Sequence, residues 1–304
     1  MKEFTYPSAG AGNIHAYVWL PEGKPAGIVQ LVHGIAEYTL RYEDFATFLT
    51  SKGFVVCGED HMGHGASIGE ADTQGYFTGG WLSAVKDTHT LYEKMSAEYP
   101  DTPYFLLGHS MGSFMTRTFL YTYPEAKIKG ALISGTAWQP GIVLFAGKTM
   151  CKLQAKKRGW KNISPTLTKM MFGSYCKGFE DVKSPYDWLS SVREVVEKYE
   201  KDPLCGFDAT IGLSYDMLCG ISMNQKKKNL AKMPKRLPVY FYAGDRDPVG
   251  ANGKGVKKSY AAFKKAGMTD VSIKLYPNGR HEMHNEKNRA QVYADVLNWI
   301  NLRK

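Results

Sequence analysis

The chain has 304 residues, 43% of them hydrophobic, enough for one large domain with a sizeable core. No run of eighteen apolar residues is present, and the opening MKEFTYPSAGAGNIHAYVW lacks the apolar centre of a secretory signal, so neither a membrane span nor export is expected. Net charge is +10, with nearly all of the excess between residues 137 and 236, and the five cysteines are an odd number without metal-ligand spacing. Free thiols in a reducing cytoplasm are the expectation. The basic charge comes without a recognisable nucleic-acid module, so nucleic acid is not expected as a partner.

In chain order, residues 13–21 alternate and predict a strand. GIVQLV (27–32) predicts a buried strand that ends at His33-Gly34. Residues 41–50 have helical spacing, and FVVCGED (54–60) is a further apolar strand. A long helix is expected over 81–99, then a buried strand at Tyr104-Phe105-Leu106-Leu107, a helix over 114–122 and a strand at KGALIS (129–134). From 137 to 235 the rhythm changes to helical stretches, loops and many lysines. It resumes with VYFYAGD, a helix near 256–266, the strand SIKLYP and a last helix over 287–301. Strands alternating with helices predict an α/β fold: a mostly parallel sheet flanked by helices. The expected core is 1–136 with 236–304, and 137–235 is a basic helical cap inserted after the sixth strand.

LLGHSMGSF (106–114) places Ser110 where a strand turns directly into a helix. Such a turn tolerates only small residues two positions to either side, here Gly108 and Gly112. This is the G-x-S-x-G elbow that lifts a serine hydroxyl above a sheet end. A serine nucleophile needs a histidine base and an acid to orient it, in the chain order serine, acid, histidine. Asp245 and Asp247 both follow the VYFYAG strand, and Asp247, further out, is the better placed to reach across. His281 and His284 both follow SIKLYP, and His281, in the loop directly after the strand, is preferred. The amide after the nucleophile, on Met111, is one expected oxyanion donor, and the Ile35 amide in HGIAEY is the other. His33 and His109 read as scaffold. DHMGHGAS (60–67) holds two histidines and an aspartate but lacks further ligands nearby, so no metal is expected.

LVHGIAEYTLRYEDFATFL, GEDHMGHGAS, LLGHSMGS, AGDRDPVG and GRHEMHNE resemble motifs of the α/β-hydrolase group that contains monoacylglycerol lipases and bacterial lysophospholipases. DWLSSVREVVEKYEKDPLCGF (187–207) resembles the cap of the lysophospholipase-like members. The resemblance implies an α/β-hydrolase fold, Ser110, Asp247 and His281 as a triad, Ile35 and Met111 as oxyanion donors, and no cofactor. Ile35 stands where those lipases often carry a small residue. The expected chemistry is hydrolysis of single-chain lipid esters, with short-chain esters, then amides or peptides, as alternatives. A noncatalytic binding protein on the same scaffold is the alternative from another class. For the cap, an apolar underside is expected from Trp138, Leu144, Phe145, Met150, Leu153, Met170, Met171, Phe172, Leu213, Met217 and Leu218. Its lysines, Lys226 to Lys228 among them, are expected on the outer face, available to an anionic membrane surface.

Overall fold

The computed structural model describes residues 1–69, 73–180 and 182–304. One eight-stranded sheet organises the chain, built from β1 (Lys2–Pro7), β2 (Asn13–Trp19), β3 (Gly27–Val32), β4 (Phe54–Glu59), β5 (Tyr104–His109), β6 (Gly130–Ser134), β7 (Val239–Gly244) and β8 (Val271–Tyr276). Their order across the sheet is β1-β2-β4-β3-β5-β6-β7-β8. The first two pairings are antiparallel and all others parallel. Every residue of β3 to β7 is buried, because helices cover both faces and leave no strand residue to solvent. β1 is an edge strand with most residues at least partly exposed, so its sequence has no apolar run and pattern reading passes over it.

The covering helices are α1 (Glu43–Thr50), α2 (Trp81–Glu98), α3 (Met111–Thr122), α9 (Lys254–Lys265) and α10 (Arg289–Asn301). α3 begins at Met111, three residues earlier than the sequence pattern predicts. Ser110 occupies the whole turn, leaving no loop between strand and helix.

Between β6 and β7 lie α4 (Gly141–Arg158), α5 (Pro165–Phe172), α6 (Arg193–Lys201), α7 (Ile211–Asn224) and α8 (Lys227–Leu230). α7 packs against both α3 and α4, and its Leu213, Met217 and Ile221 join the main hydrophobic core. The apolar residues expected on the underside of this segment divide. Leu144, Leu213 and Met217 are buried, but Phe145 is 67% exposed, Leu153 60% and Met170 54%. α4 therefore turns apolar side chains to solvent. Four consecutive apolar residues, Ile142 to Phe145, wrap around the helix, and only Leu144 meets α7's side of the fold. Among the described residues no helix is long and apolar enough to cross a membrane.

Candidate active site

Ser110 sits at φ 53° and ψ −119°, a backbone conformation that costs a non-glycine residue roughly 1–3 kcal/mol. The surroundings enforce it. The Ser110 amide donates to the Ser134 carbonyl at 3.0 Å, and the Ser113 hydroxyl donates to the Ser110 carbonyl at 2.6 Å. A Cβ on Gly108 would lie 2.3 Å from the Gly112 carbonyl oxygen, and one on Gly112 only 1.9 Å from that of Val32. Both glycines are thus required by backbone packing, and the strain falls on the residue between them.

Asp247 and His281 come from the loops after β7 and β8. His281 Nδ1 is 3.0 Å from Asp247 Oδ1, and the same oxygen accepts the Val249 amide at 2.9 Å. Asp245 instead accepts the Asn278 amide at 2.8 Å, tying the two loops together at the surface. His284 bonds through Nε2 to the Tyr242 hydroxyl at 3.0 Å, and its ring lies tilted against that of Phe45, 4.6 Å between centroids. Among the described residues, His281 Nε2 is buried without a hydrogen-bond partner.

Electrostatics separate the histidines in the same way. Burial is the largest influence on His281 and disfavours the imidazolium. The Asp247 charge and hydrogen bond, with Glu282 and Glu37 further off, outweigh it, so the pKa lies above the ordinary 6.5. Burial holds His284 at about 4. It also keeps His109 well below the ordinary value, helped by the neighbouring His281 and His284. His281 alone of these three is poised to accept a proton.

A cavity of about 450 Å³ opens over Ser110 and His281. Ile35 lines it, and Phe172, Trp188, Leu189 and Phe207 from the β6–β7 segment supply much of its apolar wall. No hydrogen bond engages the Ile35 or the Met111 amide among the described residues. Met111 opens α3, where a helix leaves its first amides without intrahelical acceptors. The loop that carries Ile35 is fixed on two sides. His33 Nδ1 donates to the Gly34 carbonyl at 2.7 Å, and His33 Nε2 accepts the His61 amide at 2.9 Å. These bonds define a neutral tautomer, and burial lowers the His33 pKa well below 6.5. His61 and Asp60 are thus occupied in turn structure, Asp60 accepting the Thr39 and Ala66 amides at 2.8 Å each. Among the described residues no group of three or more His, Cys, Asp or Glu is arranged to hold a metal ion.

Residues that sequence reading did not single out complete the site. Glu37 accepts the Gly34 amide at 2.6 Å. Arg41 donates to Glu37 at 2.6 Å and in bidentate fashion to Glu282, both bonds 2.8 Å. Burial pushes both carboxyls up. Arg41 more than offsets it at Glu282, which lies below its usual range, but not at Glu37, which stays above. The network joins the Ile35 loop to the His281 loop. Its only trace in the sequence is the i,i+4 spacing of Glu37 and Arg41. The link to Glu282 spans 241 positions and has no local signature.

A doubly flanked parallel sheet with a strained serine at a strand end, and an acid–histidine pair on the following strand ends, defines an α/β-hydrolase. Residues 23–288 match the hydrolase family described as serine aminopeptidase, S33, and the chain belongs to that family. It is 27% identical over 300 residues to a monoacylglycerol lipase of Mycolicibacterium smegmatis, covering 98% of this chain and 96% of the relative. Among solved structures it is similar to a thermostable carboxyl esterase from Bacillus coagulans in complex with glycerol. That match has a TM-score of 0.92, 30% identity and coverage of 99% of this chain and 98% of the other. A structure described as the open form of a lipase matches at TM-score 0.89 and 27% identity, covering 99% and 98%. The chain is a carboxylic ester hydrolase.

Proposed function

We propose that the chain hydrolyses esters of single-chain lipids, monoacylglycerols or lysophospholipids, through an acyl-enzyme on Ser110. His281 Nε2 takes the Ser110 proton as the hydroxyl attacks the ester carbonyl. Asp247 holds the ring through Nδ1 and stabilises the imidazolium. The Ile35 and Met111 amides receive the oxyanion. His281 then protonates the departing alcohol, and a water activated by the same nitrogen releases the fatty acid. The observation that carries this reading is His281 itself: bonded to Asp247 through one nitrogen, unpartnered at the other among the described residues, and lining one cavity with Ser110.

The lipid assignment is supported by the apolar wall of that cavity and by the names of the similar proteins. Residues 137–235 are proposed to act as a cap, since they supply Phe172, Trp188, Leu189 and Phe207 to the wall. The test is a panel of p-nitrophenyl esters of graded chain length beside monoacylglycerols and lysophospholipids. A kcat/KM that rises to medium or long chains is expected, and a maximum at acetate or butyrate would make this a short-chain esterase instead. The five free cysteines fit a reducing cytoplasm as the working compartment.

The outer face of α4 supports contact with an anionic membrane surface. Ile142, Phe145, Leu153 and Lys156 recur at helical spacing on one stripe, flanked by Lys152 and Lys157. Exposed Trp160, Ile163 and Met170 follow in the next turns of chain. Each lysine close to such a surface contributes about 1 kcal/mol. Sedimentation with phosphatidylserine vesicles at low salt checks this: Phe145→Ser with Leu153→Ser should release the protein, and Lys226 to Lys228→Gln by itself should weaken binding. A parent protein that stays in the supernatant contradicts membrane contact.

A further inference from the structure

A general base acts only while its loop is held still, and the segment before α6 holds it. The His281 amide donates to the Trp188 carbonyl at 3.3 Å and the Glu282 amide to that of Leu189 at 2.7 Å. The Arg280 guanidinium donates to the carbonyls of Asp187 and Ser190 and lies 4.2 Å over the Phe179 ring. The Ser190 hydroxyl donates to the Asn285 carbonyl at 2.8 Å. Glu286 accepts the Arg280 amide and the Ser191 amide, both at 3.0 Å, and the Ser191 hydroxyl on its second oxygen. The Trp188 ring stands 5.1 Å from the His281 ring, with His109 4.6 Å from it.

The strap is itself anchored. Asp187 accepts the Ser184 amide at 3.0 Å and Arg193 at 2.7 Å. Leu189 and Trp188 are buried in a small cluster with Tyr199 and Cys205. Hydrogen bonds therefore run from residues 187–191 to residues 280, 281, 282, 285 and 286 around the base, and Arg280 makes two of them while adjacent to it.

We propose that residues 187–191 form a strap that fixes the general base, and that Arg280 is a positioning residue acting through it. The proposal rests on the reading of His281 as the base. It places 187–191 with the core in any opening of the cap. Arg280 does not line the cavity, so its loss should act on kcat and spare KM. A misplacement of the base of about 1 Å costs on the order of 10²-fold.

The test compares wild type with Arg280→Gln, Arg280→Lys and the milder Glu286→Gln, using p-nitrophenyl butyrate as substrate. Fluorophosphonate titration of Ser110 counts folded sites, and proton NMR follows the downfield resonance of the His281–Asp247 hydrogen bond. Arg280→Gln should lower kcat per titrated site roughly 10- to 100-fold with KM within about twofold, and broaden or abolish the resonance. Arg280→Lys should recover part of both, and Glu286→Gln should show a smaller loss of the same kind. Unchanged kcat per site and an unchanged resonance in Arg280→Gln and Glu286→Gln would overturn the strap. So would a loss of activity that matches the loss of titratable sites. A wild-type protein that neither hydrolyses esters nor labels at Ser110 overturns the reading of the site, and the strap with it.

Discussion

The Asp247 carboxylate faces His281 Nδ1 at 3.0 Å and is fully buried, whereas the Asp245 side chain, two residues earlier, accepts a surface loop amide from Asn278. The two carboxylates therefore answer differently to the same substitution. Asp247→Asn removes the charge that stabilises the imidazolium and should lower kcat by about 10³- to 10⁴-fold. Asp245→Asn keeps an oxygen for the Asn278 amide and should change kcat less than about threefold. Steady-state kinetics on a p-nitrophenyl ester compares them, and equal losses would mean that Asp247 is not the orienting acid.

On the proposed mechanism His281 is the base and His284 a packing residue. His281→Ala should abolish turnover while leaving the fold intact. His284→Ala removes the bond to Tyr242 and the ring against Phe45, and should cost about 2–4 kcal/mol of stability. Its activity per folded molecule should stay within tenfold. Urea denaturation beside active-site titration separates the two effects.

Activity should depend on pH through His281 alone among the cavity histidines, because burial keeps His109 neutral. The base works unprotonated, so kcat/KM should fall as pH drops through a value above 6.5. Stability runs the other way. A raised folded pKa stabilises the protonated form, so this contribution is fully present below 6.5 and fades as pH rises through the folded value. The stability gap between wild type and His281→Gln should therefore shrink from pH 6 to pH 9, and a gap that widens would contradict the raised pKa.

Gly34 has no room for a side chain. A Cβ there would lie 2.6 Å from Glu37 Oε1 and 3.1 Å from the Ser110 Cβ. Glu37 cannot yield, because Arg41 and the Tyr42 hydroxyl hold it. Gly34→Ala should tilt the Ile35 amide away from the oxyanion and lower kcat about 10²- to 10³-fold. Circular dichroism should show the fold retained, and activity near wild type would remove this loop from the oxyanion site.

The parts of this molecule legible in sequence are those fixed by local sterics and alternation. The buried parallel strands read as apolar runs, and Gly108 and Gly112 mark the elbow because backbone atoms sit where their side chains would be. Asp247 and His281 were readable as candidates because each follows a strand, so topology alone brings them to one sheet end. β1 was not readable, since an edge strand with solvent on it shows no apolar run. The outward face of α4 was not readable either. Phe145 and Leu153 look the same in sequence whether they face a cavity or solvent, and only the position of α7 decides. The Arg41–Glu282 pair and the strap under His281 depend on segments brought together by the whole fold.

Whether Ser110 carries the acyl group is decided by intact-protein mass spectrometry after brief reaction with a fluorophosphonate, read beside ester hydrolysis. One adduct per chain is expected, mapped to the peptide containing Ser110. Ser110→Ala should take no adduct and lose about 10⁴-fold or more in kcat, with its unfolding midpoint unchanged. An adduct on another residue, or ester hydrolysis by Ser110→Ala within tenfold of wild type, would remove Ser110 as the nucleophile.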